Sequence, residues 1–446
     1  MAYSVGFVSL GCGKNQVNTE QMMYRLREAG YAISEVPDQV DLAVVNTCSF
    51  IEAAKSEAIE AILTLAQAKA QGRVGKILVT GCLSQRYQQE VLDELPEVDG
   101  ILGTGSYGDI VEAANRVLDG EEHLRFFGDI NAPEEETGRV LTTPGHYAYL
   151  QIADGCDNCC AYCIIPKLRG RYRSRPMEEL VAEAESLAAR GVRELLVIAQ
   201  DTSRYGLDLY GERRLAQLLT ALGKVEGIRW IRVHYLYPDE MSEELIDVLA
   251  SEPKVVKYLD IPIQHVNDGI LRRMNRRGNR AYLEDLLTKL RRRIPGLVLR
   301  TSLITGLPGE DEAAFAELCD FLRKFRLERV GAFVFSPEEG TAAARMAYPP
   351  REVAQERADF LAELQSRVMD DFNASRLGKR ETVLCEGWSD EDAMYWGRSY
   401  AESPDIDGKI LFSSETPVAP GDFVTVTLTG TADGDMVGEL AKEGNP

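Results

Sequence analysis

Twice along this chain, short β-rich runs alternate with stretches of helical period, and that pattern restricts the fold to parallel sheets covered by helices. The first series has strand candidates at 5–10, 42–46 and 76–80, with helices expected at 19–29, 52–70 and 84–95. Gly30 is placed to end the first helix. These runs predict a doubly wound α/β domain over residues 1–125. A polar stretch rich in Pro, Gly and charge lies between Gly128 and Gly145, and residues 126–141 read as a linker.

The alternation then restarts with longer units, at 147–152, 194–199, 228–233, 258–261, 297–304 and 329–335. That spacing suggests a whole or partial barrel of the TIM type over residues 142–375, with a long helix at about 352–372 packed back on it. After residue 376 the pattern changes to apolar–polar alternation at 382–385, 393–400, 409–412 and 423–429. Gly, Pro and Asp separate these runs, so 376–446 is expected to form a small antiparallel barrel of about five strands.

The chain has nine cysteines, an odd number in a long chain, which suits metal or redox chemistry better than a disulfide framework. Cys156, Cys160 and Cys163 have C-x3-C-x2-C spacing and lie in the loop after the first barrel strand, at the barrel face where active sites form. Three thiolates on one tight loop can hold three irons of a cubane cluster and leave the fourth iron open. An open iron can chelate S-adenosylmethionine (SAM) and pass an electron into its sulfonium bond. A zinc knuckle is the competing reading, but zinc sites usually add a second C-x2-C pair or histidines. Cys159 lies between two of these cysteines and is assigned no role.

Cys12, Cys48 and Cys82 share no local spacing, yet each lies within two residues of the end of one of the first three strands. Carboxyl ends of parallel strands converge on one crevice, where three cysteines could hold a second cluster. Gly11 and Gly81 would let the backbone turn tightly there. The alternative is three separate buried cysteines, a common fate for a free thiol.

The C-x3-C-x2-C loop, with Tyr162 before its last cysteine, resembles the radical SAM motif. The segments SLGCGKNQVNTE, VNTCSFIEAAKSEAIEAIL, VTGCLSQRYQQEVLDELPEVDGILG and GCDNCCAYCIIPKLRGRYRSRP, with the acidic tail, resemble the methylthiotransferases over essentially the whole chain. The SLGC-x-KN start and the IIPKLRGRYRSRP run are most similar to members that modify an aspartate β-carbon in a small-subunit ribosomal protein. The resemblance implies two 4Fe-4S clusters, each with three cysteine ligands, two uses of SAM, and a C-terminal TRAM domain. It also implies an electron donor such as a flavodoxin or ferredoxin. Three positions depart from the family pattern: Gly13 and Asn18 stand where Pro and Asp are common, and His234 replaces an apolar residue.

Members of the family that modify tRNA adenosine share both cysteine triads, so charge must separate the two substrate classes. The whole chain carries −21, and from Glu381 to Pro446 there are 14 acidic residues against Arg398, Lys409 and Lys442, a net of −11. A tRNA-binding domain should be basic to neutralise phosphates, whereas an acidic one suits a basic ribosomal protein. Gln200 and Asp201 end the second barrel strand, Gln264 and His265 follow the fourth, and Arg300 and Ser302 lie on the fifth. Of these, Gln200, Gln264, Arg300 and Ser302, with Tyr162, are the expected SAM contacts. Lys167, Arg169, Arg171, Arg173 and Arg175 would all point one way if extended, towards something negative or into internal ion pairs. Arg272, Arg273, Arg276, Arg277 and Arg291–Arg293 read as a solvated or ribosome-facing surface, and His123 and His146 as incidental. With no apolar run near the roughly 18 residues of a membrane span and no basic, apolar leader, the chain is expected to be a cytoplasmic monomer.

Overall fold

A computed structural model describes residues 3–133 and 137–441. Residues 134–136 of the expected linker and 442–446 of the expected tail barrel lie outside the described residues. The first sheet has the order β2-β1-β3-β4-β5-β6, all parallel, from β1 (Ser4–Ser9), β2 (Ala32–Ser34), β3 (Val40–Thr47), β4 (Val74–Gly81), β5 (Gly100–Leu102) and β6 (Leu124–Phe126). Helices α1 (Gly13–Glu28), α2 (Glu52–Ala70), α3 (Cys82–Tyr87), α4 (Gln89–Glu94) and α5 (Ile110–Leu118) connect these strands. The run LAVVNT in β3 is buried throughout because both of its faces are covered.

The second sheet has the order β14-β13-β12-β11-β10-β7 and does not close, so the barrel is partial. Its strands are β7 (Tyr147–Gln151), β10 (Glu194–Ile198), β11 (Trp230–Val233), β12 (Val255–Asp260), β13 (Val298–Thr305) and β14 (Arg329–Val334). A short ribbon of β8 (Ala153–Asp154) and β9 (Arg173–Ser174) brackets the cysteine loop and α6 (Ile165–Arg169). Helices α7 (Met177–Ala189), α8 (Leu207–Tyr210), α9 (Leu215–Gly223), α10 (Glu243–Ser251), α11 (Asp268–Arg273), α12 (Arg280–Arg293), α13 (Glu312–Phe325) and α14 (Arg351–Arg376) follow in chain order. In β13, Thr301, Leu303 and Thr305 are buried, while Arg300, Ser302 and Ile304 are only half-buried. That period of two separates a packed face from one lining the open interior.

The two sheets are joined more tightly than a loose linker would join them. Arg139, buried, donates to Glu20 of α1 at 2.6 Å, to Glu183 of α7 at 2.5 Å and to the Tyr149 carbonyl at 2.7 Å. The tail forms a closed five-stranded barrel, β15-β16-β17-β19-β18, from β15 (Arg380–Ser389), β16 (Met394–Arg398), β17 (Ile410–Ser413), β18 (Phe423–Ala432) and β19 (Asp435–Leu440). All its pairings are antiparallel except β17 with β19.

This small barrel docks at the end of the core sheet where β10 begins. Arg398 reaches Glu194 at 2.7 Å, and Arg232 reaches the same carboxylate at 2.8 Å. Burial raises the Glu194 pKa, but Arg398 and Arg232 outweigh it and bring it down to about 2. Four acids of the tail are paired here: Glu402 with Arg376 and Arg329, Asp407 with Arg329, Glu381 with Arg376, and Glu386 with Arg398. Part of the tail's negative charge therefore neutralises arginines at the seam. Asp390, Glu391, Asp392, Glu415, Asp422, Asp433 and Glu439 stay exposed. His146 is buried 3.1 Å from Glu386, and His234 hydrogen-bonds Ser403 at 3.0 Å. Both histidines are parts of this seam; His146 is not incidental.

Candidate active site

Strand β1 ends at a turn held by amide side chains. Asn15 Nδ2 donates to the carbonyls of Leu10 (2.9 Å) and Thr47 (3.0 Å), and Asn46 Nδ2 donates to the Asn15 carbonyl (2.8 Å). These bonds start α1 directly after Cys12, six residues earlier than its periodicity suggested. Gly11 and Gly81 both have φ above +90°, and a Cβ on Gly11 would sit 2.7 Å from the Cys48 Cβ. The strand ends thereby converge as expected: Cys48 feels the charges of Cys82 and Cys12, and Cys82 that of Cys12.

Burial pushes the Cys48 thiol up to about 12 and raises that of Cys82. Burial also raises Cys12, but Lys14, Arg169 and the backbone N–H groups of Asn15 and Lys14 outweigh it, so Cys12 ends below its ordinary value. Cys12 is thus the one of the three held closest to a thiolate.

In the second triad, Cys163 feels Cys160 and Cys156, and Cys156 feels Cys160. The Cys156 thiol is pushed up to about 12 mainly by burial. Cys159 is exposed with φ of 50°, and its carbonyl accepts from Asn275 at 3.0 Å. Among the described residues no three His, Cys, Asp or Glu side chains gather at single-ion spacing. The donor sets present are two groups of three soft thiols, which suit iron–sulfur binding.

A polar bridge that the sequence did not reveal runs from the first triad to the strand ends of the barrel. Arg169, buried, donates to Asn15 Oδ1 at 2.5 Å and Asn18 Oδ1 at 2.9 Å on the Cys12 side, and lies 3.3 Å from Asp154. Asp154 in turn accepts from Gln200 Nε2 at 2.6 Å. Lys14, also buried, stands 4.0 Å over the Tyr235 ring and donates to the Ala199 carbonyl at 3.2 Å, reaching from α1 to the strand ends of the barrel. Two departures from the family pattern belong to this junction. Asn18 is an Arg169 partner, and a Cβ on Gly13 would come within 2.8 Å of the Tyr149 ring.

The arginine run is not one extended row. Lys167 and Arg169 lie on α6, Arg169 faces inward, Arg175 pairs with Glu183 at 2.6 Å, and Arg171 is exposed. Arg276 is buried rather than on a surface patch, with Nη1 3.0 Å from the Tyr162 hydroxyl. His265 is buried 3.5 Å from Glu310, and its Nδ1 accepts the Asn267 N–H at 3.0 Å.

The five expected SAM contacts are all half-buried. Arg300 pairs with Asp260 at 2.9 Å, and the Gln264 N–H donates to the Ser302 carbonyl at 2.9 Å. Gln200 Oε1, Asp260 Oδ2 and both amide atoms of Gln151 are buried without a protein partner. Buried polar atoms are rarely left unpaired, so these fit a polar ligand such as SAM in the barrel.

A partial parallel barrel with a three-cysteine loop at its strand ends defines a radical SAM enzyme, and residues 150–322 match the radical SAM superfamily. Residues 4–103 match the uncharacterized protein family UPF0004, and residues 377–441 match the TRAM domain. In fold the chain is similar to the radical SAM methyltransferase TsrM from Kitasatospora setae, with a TM-score of 0.58, 14% identity and 77% of each chain covered. The ribosomal protein uS12 methylthiotransferase RimO of Lachnoclostridium phytofermentans is 47% identical over 97% of this chain and 98% of its own length. RimO of Anaeromyxobacter sp. (strain K) is 48% identical over 99% and 94%. The chain therefore belongs to the RimO family of radical SAM methylthiotransferases, enzymes that use 4Fe-4S clusters and SAM.

Proposed function

We propose that this protein adds a methylthio group to the β-carbon of an aspartate in ribosomal protein uS12. Cys12, Cys48 and Cys82 hold one 4Fe-4S cluster and Cys156, Cys160 and Cys163 a second, and two SAM molecules are consumed. When bound, these groups supply the electron, the carbon-centred radical and the methylated sulfur that the reaction needs. The observation that carries this reading is the pair of thiol triads at facing strand ends, tied together by Arg169, Asp154 and Gln200.

Holding two reactive centres in one register is an orientation effect, and the buried bridge supplies it. Tyr162, Gln200, Gln264, Arg300 and Ser302 line the space for SAM, with the orphaned Gln200 Oε1 as an acceptor for its donors. Lys14 and Tyr235 close the crevice between α1 and the barrel and exclude water from it. The exposed acids of the tail barrel favour encounter with a basic ribosomal protein. No described helix is long and apolar enough to cross a membrane. A flavodoxin or ferredoxin would supply the electrons, and the enzyme would act as a monomer.

The test incubates iron-loaded enzyme, SAM and a reductant with small ribosomal subunits or with tRNA, followed by mass spectrometry. A methylthio mass gain on the uS12 aspartate is the expected result. A gain on tRNA adenosine, with none on uS12, would overturn the substrate assignment.

A further inference from the structure

Arg276 places a buried charge against the cysteine loop of the barrel, and among the described residues it has no ion pair with a carboxylate. It is 7% exposed, and its Nη1 lies 3.0 Å from the Tyr162 hydroxyl and 3.8 Å from Cys160 Sγ. Its Nη2 donates to the Pro262 carbonyl at 2.6 Å, and the guanidinium stands 4.5 Å over the Tyr237 ring. These partners are a hydroxyl, a carbonyl, an aromatic face and a thiol. The position is fixed by bonds from the turn after α11 to the cysteine loop and back to α11. The Ala161 N–H donates to the Met274 carbonyl at 2.9 Å, Asn275 with φ of 53° donates to the Cys159 carbonyl at 3.0 Å, and the Arg276 N–H donates to the Leu271 carbonyl at 2.8 Å.

A desolvated cation is costly unless an anion answers it. The candidate anion at this position is Cys160 as a thiolate, with whatever it ligates. A cubane held by three thiolates is net negative and gains one more negative charge on reduction, so a fixed neighbouring cation favours the reduced form. A hydrogen bond donated to a ligating sulfur acts on the potential in the same direction as the charge does.

We propose that Arg276 sets the reduction potential of the cluster held by Cys156, Cys160 and Cys163, keeping it within reach of a one-electron donor protein. The donor loses the electron that the cluster gains. Arg276 is a positioning residue for charge, acting through Cys160 and the Tyr162 hydroxyl. The inference rests on the ligand assignment above.

The test uses the full chain with Cys12, Cys48 and Cys82 replaced by Ala, so that one cluster remains. Potential is titrated in the absence of SAM and followed by electron paramagnetic resonance, with iron measured in each sample. Arg276→Gln should lower the reduced-to-oxidised ratio at a fixed potential by about tenfold or more, a shift of about 59 mV to the negative side for one electron. Arg276→Lys, which keeps the charge, should stay within about threefold of the parent. A Gln variant that loads iron and titrates like the parent overturns the proposal. If the Gln variant loads no iron, the Lys variant decides: full loading with a parental potential supports it, and any other result for Lys overturns it. Failure of the ligand assignment itself looks different, because the parent would then bind no iron or keep its iron after Cys160→Ala.

Discussion

Arg398→Ala tests whether the tail barrel is held to the core by buried charge. In the native structure Arg398 bonds Glu194 at 2.7 Å and Glu386 at 2.8 Å, all three side chains being almost fully buried. Glu194 falls from 4.5 to about 2 on folding. At about 1.4 kcal/mol per unit, this shift stores on the order of 3 kcal/mol. Because the folded pKa is depressed, that contribution is complete above pH 4.5 and is lost as pH falls towards 2.

Removing Arg398 leaves Glu194 with Arg232 alone, and breaking a buried pair in this way costs about 3–5 kcal/mol. The expected cost lies at the lower end of that range, and the acid transition should move upward towards pH 4.5. The three tryptophans suit the assay. Trp230 of the core packs edge-on against Phe423 at 4.7 Å, and Trp388 and Trp396 lie in the small barrel. Urea titrations of the wild-type and variant chains, read by tryptophan emission at pH 7 and across pH 2 to 5, give the comparison. A cost below about 1 kcal/mol, the range of an exposed pair, with an unchanged acid transition, would refute the reasoning.

Other substitutions probe the site. Arg169→Lys should lower turnover about tenfold or more, because an ammonium cannot reproduce the planar fork that spans Asn15, Asn18 and Asp154; steady-state methylthiolation rates check this. Gln200→Leu removes an acceptor offered to SAM and should weaken its binding about tenfold, near the 1–1.5 kcal/mol of one hydrogen bond, as measured by equilibrium dialysis. Cys159→Ser should leave iron content unchanged, since that side chain is exposed beside the loop rather than turned into it.

The six core strands were legible because parallel strands covered on both sides are nearly continuous apolar runs, as ELLVI in β10 shows. The positions of Cys12, Cys48 and Cys82 were legible for the same reason, each following such a run. Strands β2, β5 and β6 escaped notice because three residues are too few to display a period of two. The break between α3 and α4 escaped because Gln88 takes φ of 45° with no Gly or Pro to signal it.

The longest-range partners were beyond reach. Arg169 meets Asn15 across 154 residues, and Arg398 meets Glu194 across 204. No local pattern encodes either pairing, so one arginine looked like part of a basic row and the tail acids like free surface charge. Arg276, three residues past a short helix bearing exposed Arg272 and Arg273, looked like one more solvated cation.

The most direct measurement is the iron content of the reconstituted protein and of two variants, one with Cys12, Cys48 and Cys82 replaced by Ala and one with Cys156, Cys160 and Cys163 replaced. The account predicts about eight irons per wild-type chain and about four in each variant, each with a 4Fe-4S signature by Mössbauer spectroscopy. A wild-type chain with only about four irons, or a variant that keeps all of them, would contradict it.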